Sequence, residues 1–151
     1  MSDNVESFLS ASEEQEIISA IRKAEQNTSG EIRVHIEHTA SLAHYDRAKE
    51  IFAALKMYNT QQRNAVLLYI AVKDHAFVIF GDKGIDAVVS DDFWDSTKDA
   101  IQDHFKKGEF KTGIVTGVLK AGEELKATFL GIQGIEMSCL TKYPKGDENV
   151  F

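Results

Sequence analysis

"AVLLYIAVKDHAFVIFG", running from Ala65 to Gly81, holds two apolar runs separated by three polar residues. The first run, "AVLLYIAV", is almost continuously apolar, the pattern of a strand covered on both faces. Lys73-Asp74-His75 is too short for a crossover connection. The second run, "AFVIFG", therefore predicts a hairpin partner antiparallel to the first.

Upstream, "EIRVHIEHT" from Glu31 alternates strictly, with Ile32, Val34 and Ile36 on one side and Arg33, His35 and Glu37 on the other. That is a strand with one face on the core. Between it and Ala65, "SLAHYDRAKEIFAALKMY" returns to helical spacing through Ala48, Ile51, Phe52 and Leu55. Two strands joined through a helix predict a parallel pair with a right-handed crossover. Ser12 to Gln15 has the form of a capping box, and Ile17, Ile18, Ile21 and Ala24 carry a first helix to about Gln26.

Downstream, "DDFWDSTKDAIQDHFKKG" and "EFKTGIVTGVLKAGEELKATF" predict two further helices. Phe93, Trp94, Ile101 and Phe105 are the apolar anchors of the first of these. Gly113, Gly117 and Gly122 weaken the second by about 0.8–1 kcal/mol each relative to Ala. Their spacing marks a face lying close to a neighbour, expected to be the sheet. The order α-β-α-β-β-α-α defines an α/β protein with helices on both sides of a small mixed sheet. Periodicity fades from Gly131, so residues 131–151 are expected to form a poorly ordered tail.

The 151 residues suit one domain with a sizeable core, and 43% hydrophobic with 27% charged residues is a globular composition. A net charge of −7 argues against binding to nucleic acid or to an anionic membrane. No apolar run approaches the roughly 20 residues that span a bilayer, and no signal peptide is visible, so a cytoplasmic location is expected. Cys139 is the only cysteine, which rules out an intrachain disulfide and suits a packing role. The five histidines are scattered without ligand spacing.

The charge is uneven. "GDKGIDAVVSDDFWD", Gly81 to Asp95, contains Asp82, Asp86, Asp91, Asp92 and Asp95 against Lys83 alone. If the third strand is antiparallel to the second, its C-terminal end lies at the edge where the first two strands begin. Glu31 opens the first strand there and Asn64 the second, so acidic groups from two segments meet at one rim. Like charges 4 Å apart repel by roughly 4 kcal/mol at an effective dielectric of 20. Water, protonation or a cation relieves that repulsion. Asp91 or Asp92 suits the N-cap of the next helix and Asp95 its first turn. Asp82 and Asp86, which flank Gly84, have no such structural use. Carboxylates in a glycine-containing loop suit Ca²⁺ or Mg²⁺, although the spacing is not that of an EF-hand. Arg63, just before Asn64, is placed to neutralise part of this edge.

"TSGEIRVHI", "RNAVLLYIAVKDHAFVIFGDKGI", "DDFWD" and "HFKKGEFKTGIVTGVLKAGEEL" together resemble the TPM domain, over residues 8–130. The likeness is strongest to short bacterial members that consist of this domain alone. It implies a three-layer α/β/α sandwich around a mixed four-stranded sheet, and divalent-cation binding where loops meet at one sheet edge. Carried over by position, it implies Glu31, Asp82, Asp86, Asp91 and Asp92 as metal ligands for Ca²⁺ and/or Mg²⁺, with no catalytic residue. The fourth strand would have to come from a segment with no strand pattern of its own. The tail "TFLGIQGIEMSCLTKYPKGDENVF" departs from the Phe-Pro step and acidic ending usual in short members.

Three functions follow from this reading. One is a non-catalytic, cation-responsive interaction module with a protein partner. Another is a metal-dependent, phosphatase-like enzyme, as a plant member of the family suggests, though no P-loop, Cys-x5-Arg or Asp-x-Asp motif is present. The third is a scaffold that binds no cation.

Overall fold

The computed structural model describes residues 8–26, 28–129 and 149–150. Helix α1 spans Ala11–Glu25, strand β1 Ile32–Glu37, helix α2 His44–Ala54, strand β2 Val66–Ala71 and strand β3 Ala76–Gly81. A short helix α3, Lys83–Asp86, follows, then α4, Asp95–Lys106, and α5, Phe110–Phe129. β1 and β2 are parallel, with Ile32 opposite Val66, while β2 and β3 are antiparallel, with Val66 opposite Gly81. The hairpin and the parallel pair expected from the sequence are both present.

Three six-residue strands make up this mixed sheet. The full fourth strand implied by the family likeness is absent among the described residues. A two-residue β4, Asn149–Val150, pairs antiparallel with Phe77 and Ala76. The remainder of the tail expected to be poorly ordered, residues 130–148, lies outside the described residues.

Alternation along β2 and β3 splits the core in two. Val66, Leu68, Ile70, Phe77 and Ile79 pack with Ile17, Ala20 and Ala24 of α1, Ile101 and Phe105 of α4, and Ile114, Val118 and Leu125 of α5. Leu67, Tyr69, Ala71, Val78 and Phe80 face the other way, onto Ala48, Ile51 and Phe52 of α2. Both strands are buried throughout because each face meets helices. Each large side chain so buried contributes about 1.5–3 kcal/mol.

Three local expectations change. The capping box of α1 is Ser10–Glu13, not Ser12–Gln15: Ser10 Oγ accepts from Glu13 N at 3.2 Å and Ser10 N donates to Glu13 Oε1 at 2.9 Å. Both pairs fit the motif, and burial of Leu9 just before Ser10 fixes where the chain enters. The cap of α4 is Trp94, without a side-chain hydrogen bond, so neither Asp91 nor Asp92 serves there. The glycines of α5 approach other helices rather than the sheet. A Cβ added at Gly113 or Gly117 would meet Phe105 or Ile101 of α4, and one at Gly122 would meet Ala24 of α1.

At the hairpin end, Asp74 ties down the loop leading into α2. It accepts from Thr39 Oγ1 at 2.6 Å and Ala40 N at 3.0 Å, and lies 2.9 Å from His44 Nε2. Burial pushes the Asp74 carboxyl up, but these hydrogen bonds outweigh it and bring the pKa down to about 2. A folded-state value below the unfolded one gives stability that is present above about pH 4 and lost as pH falls toward 2. Asp74→Asn is expected to flatten the urea-stability profile across that window and to leave its shape above pH 5 unchanged.

Candidate functional site: an acidic sheet edge

Because Ile32, Val66 and Gly81 lie in register across the sheet, Glu31, Asn64 and Asp82 share one edge. The meeting of segments inferred from the sequence therefore holds. The partners of the individual acids differ from group to group.

Asp82 is buried, and the Arg63 guanidinium grips it with a fork, Nε to Oδ2 at 2.7 Å and a terminal nitrogen to Oδ1 at 3.0 Å. Its Oδ1 also accepts from Lys83 N at 2.8 Å, capping α3. A one-turn helix here escapes sequence reading because four residues hold no periodicity. The usable signal was Asp-x-Gly after a strand, an N-cap followed by a residue without a Cβ. That residue, Gly84, lies on the backbone of Gln62 and Arg63, to which its own N–H donates at 2.8 Å.

Glu31 is half-buried and pairs with Arg33 at 3.0 Å. Asp92 is exposed and accepts from Ser90 Oγ at 2.5 Å within a run of turns that leads into α4. Asp95 lies 3.9 Å from Lys98 in the first turn of α4, as the helix dipole favours. Asp86, half-buried at the end of α3, and Asp91, exposed in the following turn, come together. With Gly81, Ser90, Phe93 and Trp94 they line one cavity of about 30 Å³. Phe93 and Trp94 pack edge to face at 4.7 Å and lean on the main core, the anchoring role expected of them. Burial pushes the nearby Tyr45 phenol up, and the charges of Asp46 and Asp86 add to it.

Of the five acids expected as ligands, Glu31, Asp82 and Asp92 meet Arg33, Arg63 and Ser90, while Asp86 and Asp91 line one cavity. Among the described residues no three His, Cys, Asp or Glu side chains lie close enough to form a ready-made metal site. The residues present fit a hydrated dication rather than a closed protein cage. Mg²⁺ needs only one or two carboxylates and keeps its waters, and Ca²⁺ takes main-chain and water oxygens as well.

A second polar cluster, not anticipated, lies on the α2 face of the sheet. Arg47 donates to both oxygens of Glu37 at 2.9 Å, the Tyr69 hydroxyl donates to the same carboxylate, and His35 stacks on Tyr69. Burial pushes the Glu37 carboxyl up, yet the bonds from Arg47 and Tyr69 hold it below the usual carboxylate range. Burial and the Glu37 bond drive the Tyr69 phenol well above its ordinary value. This network packs α2 to the sheet and reaches the surface where Arg47 also donates to Glu50 at 2.5 Å.

The comparisons agree with this mixed α/β fold. The sequence model of the TPM domain family matches residues 3–124, and the chain belongs to that family. It is similar to the BA42 protein from the psychrophilic bacterium Bizionia argentinensis, whose NMR structure has a TM-score of 0.80 at 56% identity, covering 85% of this chain and 88% of that one. The N-terminal domain of a P. gingivalis protein shares the fold, with a TM-score of 0.66 at 16% identity over 84% of this chain and 82% of that one. No curated protein matches the chain. No helix among the described residues is long and apolar enough to cross a membrane.

Proposed function

We propose that the protein is a non-catalytic TPM-type module whose acidic edge takes a divalent cation, Ca²⁺ or Mg²⁺, and that cation binding conditions its interaction with a protein partner. The observation that carries this is the convergence of Asp86 and Asp91, from separate turns, on one small cavity. Ser90 lines the same cavity beside them. Asp92 and Glu31 lie outside this pair and are outer ligands at most, while Asp82 joins only if Arg63 releases it. Room of about 30 Å³ suits an ion with a water or two. Ligand pockets for larger molecules run to roughly 300–1,000 Å³. The phosphatase alternative gains no support from this cavity, because acidic walls also repel a phosphate ester.

Titration with Ca²⁺ or Mg²⁺ is expected to shift the amides from Gly81 to Asp95 selectively, and Asp86→Asn with Asp91→Asn to abolish the shift. A cation present at 100 times its dissociation constant raises stability by about 2.7 kcal/mol, so the melting temperature should fall on adding chelator. Amides unmoved at millimolar cation, with a chelator-indifferent melting temperature, would return the reading to a cation-free scaffold. Hydrolysis of an aryl phosphate that is lost in the double Asn variant would instead favour the enzyme.

A further inference from the structure

Asp86 lines its cavity from the C-terminal end of α3, a single turn too short to be stable by itself. The turn before β2 holds that helix in place. Arg63 forks the buried Asp82 carboxylate at 2.7 and 3.0 Å, and its C=O accepts from Gly84 N at 2.8 Å. Gly84 lies against the backbone of Gln62 and Arg63. The gripped residue bonds directly to the one in the cavity. Asp82 C=O accepts from Ile85 N at 3.0 Å and from Asp86 N at 3.4 Å. The holding turn is itself braced, since Arg63 N donates to Thr60 O at 3.2 Å and Ser29 Oγ donates to Gln62 Oε1. Arg63 has a φ of 51°, a left-handed conformation kept where the grip is made.

We infer that Arg63 is a positioning residue for the acidic cavity: its grip on Asp82 holds α3 so that Asp86 and Asp91 share one space. The inference rests on the cation reading and adds what sets the affinity of that site. Two carboxylates repel each other when no cation lies between them. A one-turn helix yields to that force unless something outside it holds on. A carboxylate already in place spares the ion the cost of ordering it. Partners that orient a metal-binding group contribute about 10–100-fold in affinity. A guanidinium near a cation site weakens binding by its charge, but the fork to Asp82 offsets that charge within the pair. The sign of the effect therefore separates grip from charge. Removing a rival cation strengthens binding, whereas losing the grip weakens it.

Two variants remove the grip at constant net charge. Arg63→Lys keeps the charge and loses the bidentate fork. Arg63→Ala combined with Asp82→Asn removes both charges, and asparagine still caps α3. Each variant is expected to bind Ca²⁺ or Mg²⁺ about tenfold more weakly, read from the amide shifts of Gly81 to Asp95. With no cation added, hydrogen exchange at Ile85, Ala87 and Val88 is expected to quicken by more than the loss of global stability. The β2 amides should follow global stability alone. Unchanged or tighter binding in the folded variants would overturn the inference, and so would α3 exchange that merely tracks the sheet. In either case a wild-type response to cation leaves the proposed function standing. A wild-type chain that binds neither cation would end the cation reading, and this inference with it.

Discussion

Gly84→Ala is expected to destabilise the protein by about 3 kcal/mol or more, at or beyond the upper end of ordinary overpacking. A Cβ at this position would lie 2.0 Å from Gln62 O and 2.5 Å from Arg63 O. Both are backbone atoms, held from the other side by the start of β2, so no rotamer change relieves the clash. Either α3 lifts off, or the segment before β2 shifts and disturbs the register of the sheet. Lifting α3 also breaks the bond from Gly84 N to Arg63 O and removes Ile85, 1% exposed, from the core. Urea denaturation at neutral pH measures the loss. A cost below about 1 kcal/mol, the ordinary size of a point-mutation effect, would mean that α3 does not sit against residues 62–63.

Arg63→Ala is the second large effect. The Asp82 side chain is 6% exposed and its carboxylate relies on the Arg63 fork, with Lys83 N as its other donor. Removing one partner of a buried pair costs about 3–5 kcal/mol, because the remaining charge is stranded. Arg63 itself is 36% exposed, so water enters the gap and the lower figure applies. Arg63 has a φ of 51°, a left-handed conformation that alanine tolerates no better, so the substitution brings no backbone relief. Asp82→Ala loses the pair and the α3 cap together. The double variant is expected to be less destabilised than the sum of the two singles by at least about 1 kcal/mol, the signature of direct coupling. Additive losses would show that the fork contributes nothing to folding.

These two contacts also explain why the acidic edge looked more like a metal centre in the sequence than it does in the fold. Counting charges along Gly81–Asp95 finds one lysine against five aspartates, but the cation that matters for Asp82 is 19 residues upstream. Arg63 could be placed on the edge from the strand order, yet a fork to one particular carboxylate depends on where α3 docks. The sequence set Asp82 and Asp86 apart from the capping acids, with Asp91 among the latter; the fold pairs Asp86 with Asp91 instead. That they share a cavity with Trp94, and that Asp92 turns to Ser90, depends on turn geometry with no periodic signal.

Strand identity, the parallel and antiparallel pairings and the face of each core residue were written in the order of apolar residues. A period of two or 3.6 is a local property, and a three-residue link leaves the chain one way to turn. Which helix the glycines of α5 touch, which serine caps α1, how short the fourth strand is and which acid each arginine neutralises were decided only when the layers packed. Those outcomes rest on contacts between residues far apart in the chain, where fractions of an ångström choose among partners of equal local merit.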